Sequence, residues 1–238
     1  KRYEKHSRPR PSDYICNNVY VPQAYTPSNE LFGALAMQNG AKLKLAQPEL
    51  VSNTAGIAIS KTSVSLIESE YGEVNFENIV SAVVDGKIQM GYTYPYTSAT
   101  GLNFLVNSLQ YFDSSDMLSA GAIGKFQQLQ KSIPFVCYTT DQMVNAMQSG
   151  TLQAGVTEYQ AYVNSAVLKS SYDFVPFGYK HSNPLYMVGD LSSSEQEALD
   201  QFLEYAMSDA CQDKAKSYGF DPDKNYQYNT KNISGADI

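Results

Sequence analysis

The strand-turn-helix pattern at residues 88–109 constrains the fold of this chain more than any other stretch. The run from Ile88 to Thr93 predicts a strand, a polar turn follows at Tyr94 to Thr97, and an apolar face from Leu102 to Leu109 predicts a helix that begins near Ser98. The first turn of a helix has backbone N–H groups without intrahelical acceptors, so it suits an anion or a carbonyl oxygen. The alternative interpretation is that Ser98 only caps the helix.

The residues of this turn form the first candidate ligand site. Thr97, Ser98 and Thr100 add hydroxyl donors beside the helix N-terminus, and Gly101 lets a ligand approach the backbone closely. If no ligand binds here, Thr100 and Gly101 are ordinary residues of a first helical turn.

Polar strand-to-helix junctions are predicted at two further places. The segment Tyr25 to Phe32 has Ser28 or Asn29 as a helix cap. The segment Leu152 to Tyr162 predicts a short strand followed by a helix that starts near Glu158, whose carboxylate can accept a hydrogen bond from a ligand amine or hydroxyl or can interact with the helix dipole. This alternation of strands and helices predicts an α/β fold with a parallel sheet and ligands at the carboxyl ends of its strands.

The same signals predict the remaining elements. Residues 174–177 and 185–188 are predicted to be two strands, joined by a polar loop in which His181 is solvated. Further strands are predicted at residues 14–21, 43–45, 50–51, 53–60 and 135–138, and further helices at 75–84 with Asn75 as cap, 116–129, 140–147, 192–206 with a capping box at Ser192 and Glu195 and with Phe202 among its inward residues, and 210–218.

Composition excludes several classes of function. The net charge of −7 argues against nucleic acid or an anionic membrane surface as the main partner. Cys16, Cys137 and Cys211 match no metal-binding spacing and allow at most one disulfide, with Cys137 expected to be a buried apolar residue. The two histidines, His6 and His181, lie in no recognisable catalytic motif. We therefore expect no metal centre, no cofactor and no enzyme, and no apolar run is long enough to span a bilayer.

The central segment resembles a known family. Residues 91–105, Gly-Tyr-Thr-Tyr-Pro-Tyr-Thr-Ser-Ala-Thr-Gly-Leu-Asn-Phe-Leu, are similar to the G-x-T-x-P-x-x-S-x-T-G-x-x-F-L segment of bacterial extracellular solute-binding proteins with the type II periplasmic-binding-protein fold. Looser similarities lie at residues 26–29, 53–59, 150–159 and 212–220, so the resemblance spans about residues 20–222.

The resemblance implies a two-lobe α/β fold, each lobe a mostly parallel sheet flanked by helices, that closes over a ligand like a hinged clamp. It implies a first lobe at residues 14–57 and 177–238 and a second lobe at 58–176. The basic, proline-containing residues 1–13 are predicted from their composition to be a flexible arm. The first lobe would be abbreviated or incomplete, because only some 25 residues precede the first pocket loop. The implied ligand contacts are Thr26, Ser28 and Asn29 of the first lobe and Tyr94, Tyr96, Thr97, Ser98, Thr100, Gly101, Glu158 and Tyr159 of the second.

The implied function is that of an extracellular or periplasmic receptor, tethered to the cell surface through a segment not in this chain. It would capture a small polar or anionic solute and deliver it to the membrane subunits of an ABC-type transporter, without inserting into the membrane itself. Two alternatives stay open. One is a cell-surface sensing or adhesion module whose tyrosine-rich loops contact another macromolecule, and the other is a secreted enzyme with Glu158 as its carboxylate.

Overall fold

The computed structural model describes residues 11–134 and 136–220, apart from the side chains of residues 178 and 179. The described residues divide into two compact units. Unit 1 comprises the residues up to Ser52 and those from His181 onward, and unit 2 runs from Asn53 to Lys180. The predicted lobe boundaries stay a prediction. Residues 1–10 of the predicted arm lie outside the described residues, as do residues 221–238.

Strands and helices are numbered in chain order. The strands are β1 (Ala24–Tyr25), β2 (Leu43–Ser60), β3 (Met90–Thr93), β4 (Val136–Cys137), β5 (Ala154–Glu158) and β6 (Tyr172–Val188). The helices are α1 (Pro11–Cys16), α2 (Glu30–Gln38), α3 (Lys61–Glu70), α4 (Phe76–Val84), α5 (Ala99–Phe112), α6 (Ala120–Ser132), α7 (Thr140–Gln148), α8 (Tyr159–Val163), α9 (Ala166–Ser171), α10 (Ser193–Ala206) and α11 (Asp209–Ser217). The long strands β2 and β6 each have residues in both units.

The sheet of unit 2 contains the predicted parallel strands. Strand β3 pairs in parallel with β5 on one side, where Gly91 lies opposite Gly155, and with β4 on the other, where Thr93 lies opposite Cys137. Strand β2 runs antiparallel to β5. The carboxyl ends of β3, β4 and β5 therefore meet at one edge of the sheet, and each of these strands is followed by a helix N-terminus.

Both faces of this sheet are covered by apolar side chains. On one face, Ile57, Tyr92 and Val156 join a core that includes Phe76 of α4 and Phe104 of α5. On the other face, a smaller cluster contains Cys137, which is buried as predicted, and residues of α7 and α9. Burial raises the pKa of the Cys137 thiol, so this side chain is a neutral core residue.

Unit 1 has its own small core. Strand β1 pairs antiparallel with the end of β6, where Ala24 lies opposite Met187. Ile15 of α1 packs with Ala36 of α2 and Val188 of β6. The side-chain amide of Gln212 in α11 donates to the backbone oxygens of Leu50 and Ala206, both at 2.9 Å, and so attaches α11 to β2.

Two predictions near the chain's N-terminal end were wrong. The structure has helix α1 from Pro11, so residues 11–13 are not part of a flexible arm and residues 14–21 are not a strand. A short segment with a few apolar residues does not distinguish a strand from one or two helical turns by its pattern alone. Packing of Ile15 against Ala36 decides in favour of the helix.

The predicted loop at residues 178–184 was also wrong, because residues 172–188 form the single strand β6. Ser182 of this strand donates a hydrogen bond of 2.6 Å to the Glu49 carboxylate in β2. His181, which the sequence predicted to be solvated, is buried. The polar Ser182 is thus accommodated in a strand because Glu49 of a neighbouring segment satisfies its hydroxyl. In the same way, the short strands predicted at 43–45, 50–51 and 53–60 are one strand, β2.

The predicted helix caps were more accurate. Asn75 caps α4, Ser98 caps α5, and Ser192 and Glu195 form the predicted capping box of α10. The helix predicted at 116–129 instead begins after Ser119. Phe202 of α10, predicted to face inward, is half exposed. The strand predicted at 135–138 is β4, and residue 135 lies outside the described residues.

The later start of α6 is explained by Asp113. Its carboxylate accepts hydrogen bonds from the amides of Ser115 and Asp116, both at 3.1 Å, and from the Ser115 hydroxyl at 2.7 Å. Residues 113–116 are thereby held in a turn, and α6 begins only after Ser119.

These hydrogen bonds lead to a pH-dependence that can be measured. The hydroxyls of Ser115 and Ser119 and the backbone N–H donors lower the pKa of Asp113 from 3.8 to about 2. A depressed pKa contributes stability above the unfolded value, and this contribution is lost as the pH falls from 3.8 towards about 2. We expect Asp113→Asn to lower the urea midpoint at neutral pH, with a difference from the parent chain that shrinks across this window. A difference that is independent of pH would contradict the assignment.

Candidate ligand-binding site

The N-terminus of α5 has backbone donors that remain unused. The amides of Thr97 and Ser98 donate to the Tyr94 carbonyl oxygen at 3.1 and 3.0 Å. The Gly101 amide donates to the Ser98 hydroxyl oxygen at 3.4 Å. Within the described residues, no acceptor lies within hydrogen-bonding distance of the amides of Ala99 and Thr100. These two N–H groups are the ones that a ligand oxygen could occupy.

The Ser98 hydroxyl is arranged so that it can also donate to a ligand. Its oxygen lies 2.7 Å from the hydroxyl oxygen of Thr93, a residue that is fully buried. If Thr93 donates to Ser98, the Ser98 oxygen accepts two hydrogen bonds, from Thr93 and from the Gly101 amide, and its own proton is free for a ligand. The cap predicted from the sequence is therefore confirmed. The Ser98 hydroxyl can cap α5 and donate to a ligand at the same time.

Gly101 is required by a close approach of two backbones. A Cβ atom at this position would meet the backbone carbonyl group of Thr93, with the carbonyl carbon only 2.6 Å away. Helix α5 therefore lies directly against the end of β3, which places the Ser98 hydroxyl beside Thr93. Thr93 fills the space on the side of Gly101 where a Cβ atom would lie. The approach of a ligand to the backbone at Gly101 stays a prediction.

The second junction in unit 2 lies at the end of β5. The Thr157 hydroxyl oxygen is buried and has no hydrogen-bond partner among the residues described. The Asn53 side-chain oxygen accepts from the amides of Thr54 at 3.0 Å and Gln160 at 3.3 Å, so Asn53 caps the first turn of α8 from the neighbouring strand. Glu158 precedes this turn, and its side chain makes no capping hydrogen bond there. The Tyr159 ring packs edge-on against Phe174 with centroids 5.4 Å apart.

Strand register brings these two junctions together. Gly91 lies opposite Gly155, and we infer from this parallel register that Thr93 lies next to Thr157, two residues further along both strands. The Cβ positions of Gly91 and Gly155 both face Met143, so Thr93 and Thr157 also share this face of the sheet. An unpaired buried hydroxyl thus lies next to the hydroxyl pair of Thr93 and Ser98.

Tyr94, Tyr96 and Tyr138 form a cluster of exposed rings at the same edge. The Tyr94 and Tyr96 centroids are 5.4 Å apart, and those of Tyr94 and Tyr138 are 6.1 Å apart. The Tyr94 amide donates to the Cys137 carbonyl oxygen at 2.8 Å, which holds the turn after β3 against the end of β4. The sequence did not indicate that Tyr138 joins the rings of Tyr94 and Tyr96, and a role of these rings as a wall of the ligand cleft stays a prediction.

The three predicted contacts of the first lobe lie in unit 1. Asn29 is buried and caps α2, with its side-chain oxygen accepting from the Leu31 amide at 2.8 Å. Thr26 and Ser28 of the same loop are exposed. Of the two cap candidates, Ser28 and Asn29, the structure selects Asn29. A role of these three residues in binding stays a prediction.

Sequence reasoning missed four residues that shape these junctions. Thr93 and Thr157 are buried threonines near the carboxyl ends of β3 and β5. A threonine at the end of each predicted strand was the sequence signal that could have identified them as site residues. Asn53 and Tyr138 contact residues of neighbouring strands or of the turns that follow them, and these residues are distant in sequence. No local pattern could have connected them to the site.

Among residues 11–134 and 136–220, no group of three His, Cys, Asp or Glu side chains is arranged to hold a metal ion. None of the helices in this part of the chain is both long enough and apolar enough to cross a bilayer.

Several solved structures with similar folds share little sequence identity with this chain. The sulfate-binding protein SubI from Mycobacterium tuberculosis H37Rv is 11% identical, with a TM-score of 0.69 over 90% of this chain and 73% of that chain. A periplasmic thiamin binding protein is 14% identical, with a TM-score of 0.63 over 94% of this chain and 70% of that chain. A substrate-binding domain assigned to a molybdenum ABC transporter from Clostridium difficile is 11% identical, with a TM-score of 0.55 over 90% of this chain and 82% of that chain.

These likenesses confirm the predicted α/β fold of the type II periplasmic binding proteins. No curated protein matches the sequence. The family model of bacterial extracellular solute-binding proteins matches residues 18–221. That family consists of binding proteins, and its extracellular character indicates a location outside the cytoplasm. The chain therefore belongs to the bacterial extracellular solute-binding proteins.

Proposed function

We propose that this protein is a receptor that captures a small polar or anionic solute and delivers it to an ABC-type transporter. The observation that carries the proposal is the N-terminus of α5, where the amides of Ala99 and Thr100 have no acceptor among the described residues and the Ser98 hydroxyl can donate beside them. Such donors at the positive end of a helix dipole bind oxygen atoms and favour negative charge.

The surroundings of this helix end support an oxygen-rich ligand. Thr157 contributes a buried hydroxyl that lacks a partner in the described structure. An unpaired buried hydroxyl costs free energy, which a ligand or an ordered water would recover. Glu158 follows it directly, and a carboxylate there favours a ligand that also carries a hydroxyl or an amine. These features fit a carboxylate-bearing or partly protonated oxyanion better than a fully ionised one.

The similar structures add support of a different kind. Their names include a sulfate-binding protein and a domain of a molybdenum ABC transporter. Delivery to transporter subunits, anchoring at the cell surface, and the closing of two hinged lobes over the solute are parts of the proposal that rest on the family.

The first experiment is a search for the ligand. Native mass spectrometry of the purified protein would be followed by thermal-shift screening against oxyanions, amino acids, sugars and nucleosides. A ligand that binds only the folded state raises its stability by about 2.7 kcal/mol at a hundredfold excess over Kd. Either a co-purified mass or a clear shift supports the receptor. Silence across the panel, with a well-folded protein, would favour the alternative of a surface sensing or adhesion module.

The second experiment tests the residues. We expect Ser98→Ala with Thr100→Ala to weaken the identified ligand about tenfold or more, since each lost charge-assisted hydrogen bond contributes about 1.5 kcal/mol or more. Ser119→Ala is the matched control because Ser119 caps α6 in the same way, accepting from the Ala122 amide at 3.1 Å. Both variants lose about 1 kcal/mol of stability through their caps. Equal affinities in the two variants would show that the ligand binds elsewhere.

A further inference from the structure

Unit 2 also has a concave surface that includes the tyrosine cluster. It is a groove of about 520 Å³ between the turn after β3 and the helices α5 and α6, which we call the tyrosine groove. Its upper wall is formed by Tyr94, Tyr96 and Tyr138, and its lower part by side chains such as Leu109, Ile123 and Gln127. A cleft of this size falls within the range typical of small-molecule sites.

The lining of the tyrosine groove is uncharged. None of the residues found to line it is Asp, Glu, Lys, Arg or His, although the whole chain carries 24 acidic and 17 basic residues. An uncharged lining offers a charged ligand no compensation for the water it would lose on binding. The ligand class is therefore neutral.

Two of the three tyrosine rings in this groove are largely exposed. Tyr96 is 70% exposed and Tyr138 is 62% exposed, although both rings lie against Tyr94. The interplanar angles to Tyr94 are 43° for Tyr96 and 64° for Tyr138. Rings tilted in this way cannot enclose a flat aromatic ligand between parallel faces, but they form a curved apolar wall against which a puckered ring can pack.

The groove also has hydrogen-bonding groups suited to hydroxyls. The Gln130 side-chain amide donates to the Tyr92 hydroxyl at 3.0 Å, which fixes Gln130 at the base of the groove. Burial raises the pKa of Tyr92, so this phenol is neutral. The Gln127 amide and the phenol hydroxyls of Tyr96 and Tyr138 add donors and acceptors that carry no charge.

We propose that the tyrosine groove binds a neutral saccharide. A pyranose ring has apolar C–H faces for the tilted tyrosine rings and hydroxyls around its edge for the amides and phenols. Both features are required together, and the groove provides both without a charged group. The groove shares Tyr94 and Tyr96 with the contacts predicted for the solute site, but its other side chains extend down α5 and α6 and do not include Ser98 or Thr100.

The test uses the full chain and the neutral disaccharides maltose, cellobiose and lactose. We expect at least one of them to bind in isothermal titration and to move the amide NMR signals of residues in the tyrosine groove. Tyr96→Ala and Tyr138→Ala should each weaken this binding about tenfold, equivalent to about 1.4 kcal/mol. Gln127→Ala should weaken it less. Gln128→Ala, the adjacent glutamine of α6 that does not line the groove, should leave it unchanged.

Three outcomes would overturn the proposal. One is no groove signal moving with any disaccharide up to millimolar concentration while the protein is folded. Another is binding that Tyr138→Ala and Gln128→Ala weaken equally. The last is a response of the groove to planar adenosine or to a proline-rich peptide instead of a saccharide. Ser98→Ala should keep saccharide binding, so failure of the solute site and failure of the tyrosine groove are distinguishable.

Discussion

Replacing Phe76 by Ala is expected to lower the free energy of unfolding by about 4 kcal/mol, the usual loss for a buried aromatic ring. Phe76 is fully buried, and its ring stacks on Phe177 with centroids 3.7 Å apart and an interplanar angle of 5°. The ring also packs edge-on against Tyr111 at 4.8 Å and Phe104 at 6.4 Å. It therefore joins α4, α5 and β6 within unit 2, and its removal leaves a cavity among large rings that cannot all move inward.

Urea unfolding followed by circular dichroism would measure this loss. Phe202→Ala is the control, because Phe202 is 50% exposed on α10 and should cost less than about 1 kcal/mol. Phe76→Leu should fall between the two, since it keeps part of the buried volume. If Phe76→Ala and Phe202→Ala unfolded at the same urea concentration, the aromatic cluster could not be the main core of unit 2.

Replacing Gly101 by Ala is expected to lower the free energy of unfolding by about 2–3 kcal/mol, as overpacking does in a rigid site. The new methyl group would meet the carbonyl group of Thr93, which is backbone at the end of β3 and cannot turn away as a side chain could. The helix must shift instead, and this would lengthen the 2.7 Å hydrogen bond between Thr93 and Ser98. We therefore expect ligand affinity to fall together with stability.

Gly124→Ala provides the matched comparison. Gly124 also lies in a helix, α6, but nothing lies within 4 Å of its Cβ position. Alanine there should raise stability by about 0.5–1 kcal/mol, because glycine is the poorer helix former. The two substitutions should thus have opposite signs in the same urea experiment. An increase in stability for both would mean that α5 does not approach β3 closely.

The helix starts were the best predicted part of the fold. Ser98, Asn75 and Ser192 were each recognised from a polar residue followed by apolar residues at helical spacing. A cap is a local hydrogen bond to an amide two or three residues later, so the residues that determine it lie within one turn of chain. The start of α6 was predicted too early because the Asp113 carboxylate organises the turn before this helix. The sequence of that turn is compatible with several turn types.

The strands were predicted less accurately because their polar residues depend on partners elsewhere. The run around Ser182 was predicted as a loop, yet it lies within β6, where Ser182 hydrogen-bonds to Glu49. Those two residues are separated by 133 positions in the chain. A polar residue in a strand and one in a loop differ only in what lies opposite.

The candidate site shows the same division. The chemistry of each junction, with hydroxyls and amides at a helix start, follows from residues that are adjacent in the chain, because capping and unused N–H groups are local properties. Which junctions become neighbours depends on strand register, and register is set by packing over the whole sheet. The register of β3 with β5 is the basis for placing Thr157 beside Thr93. The register of β3 with β4 likewise brings Tyr138 to the ring cluster at Tyr94.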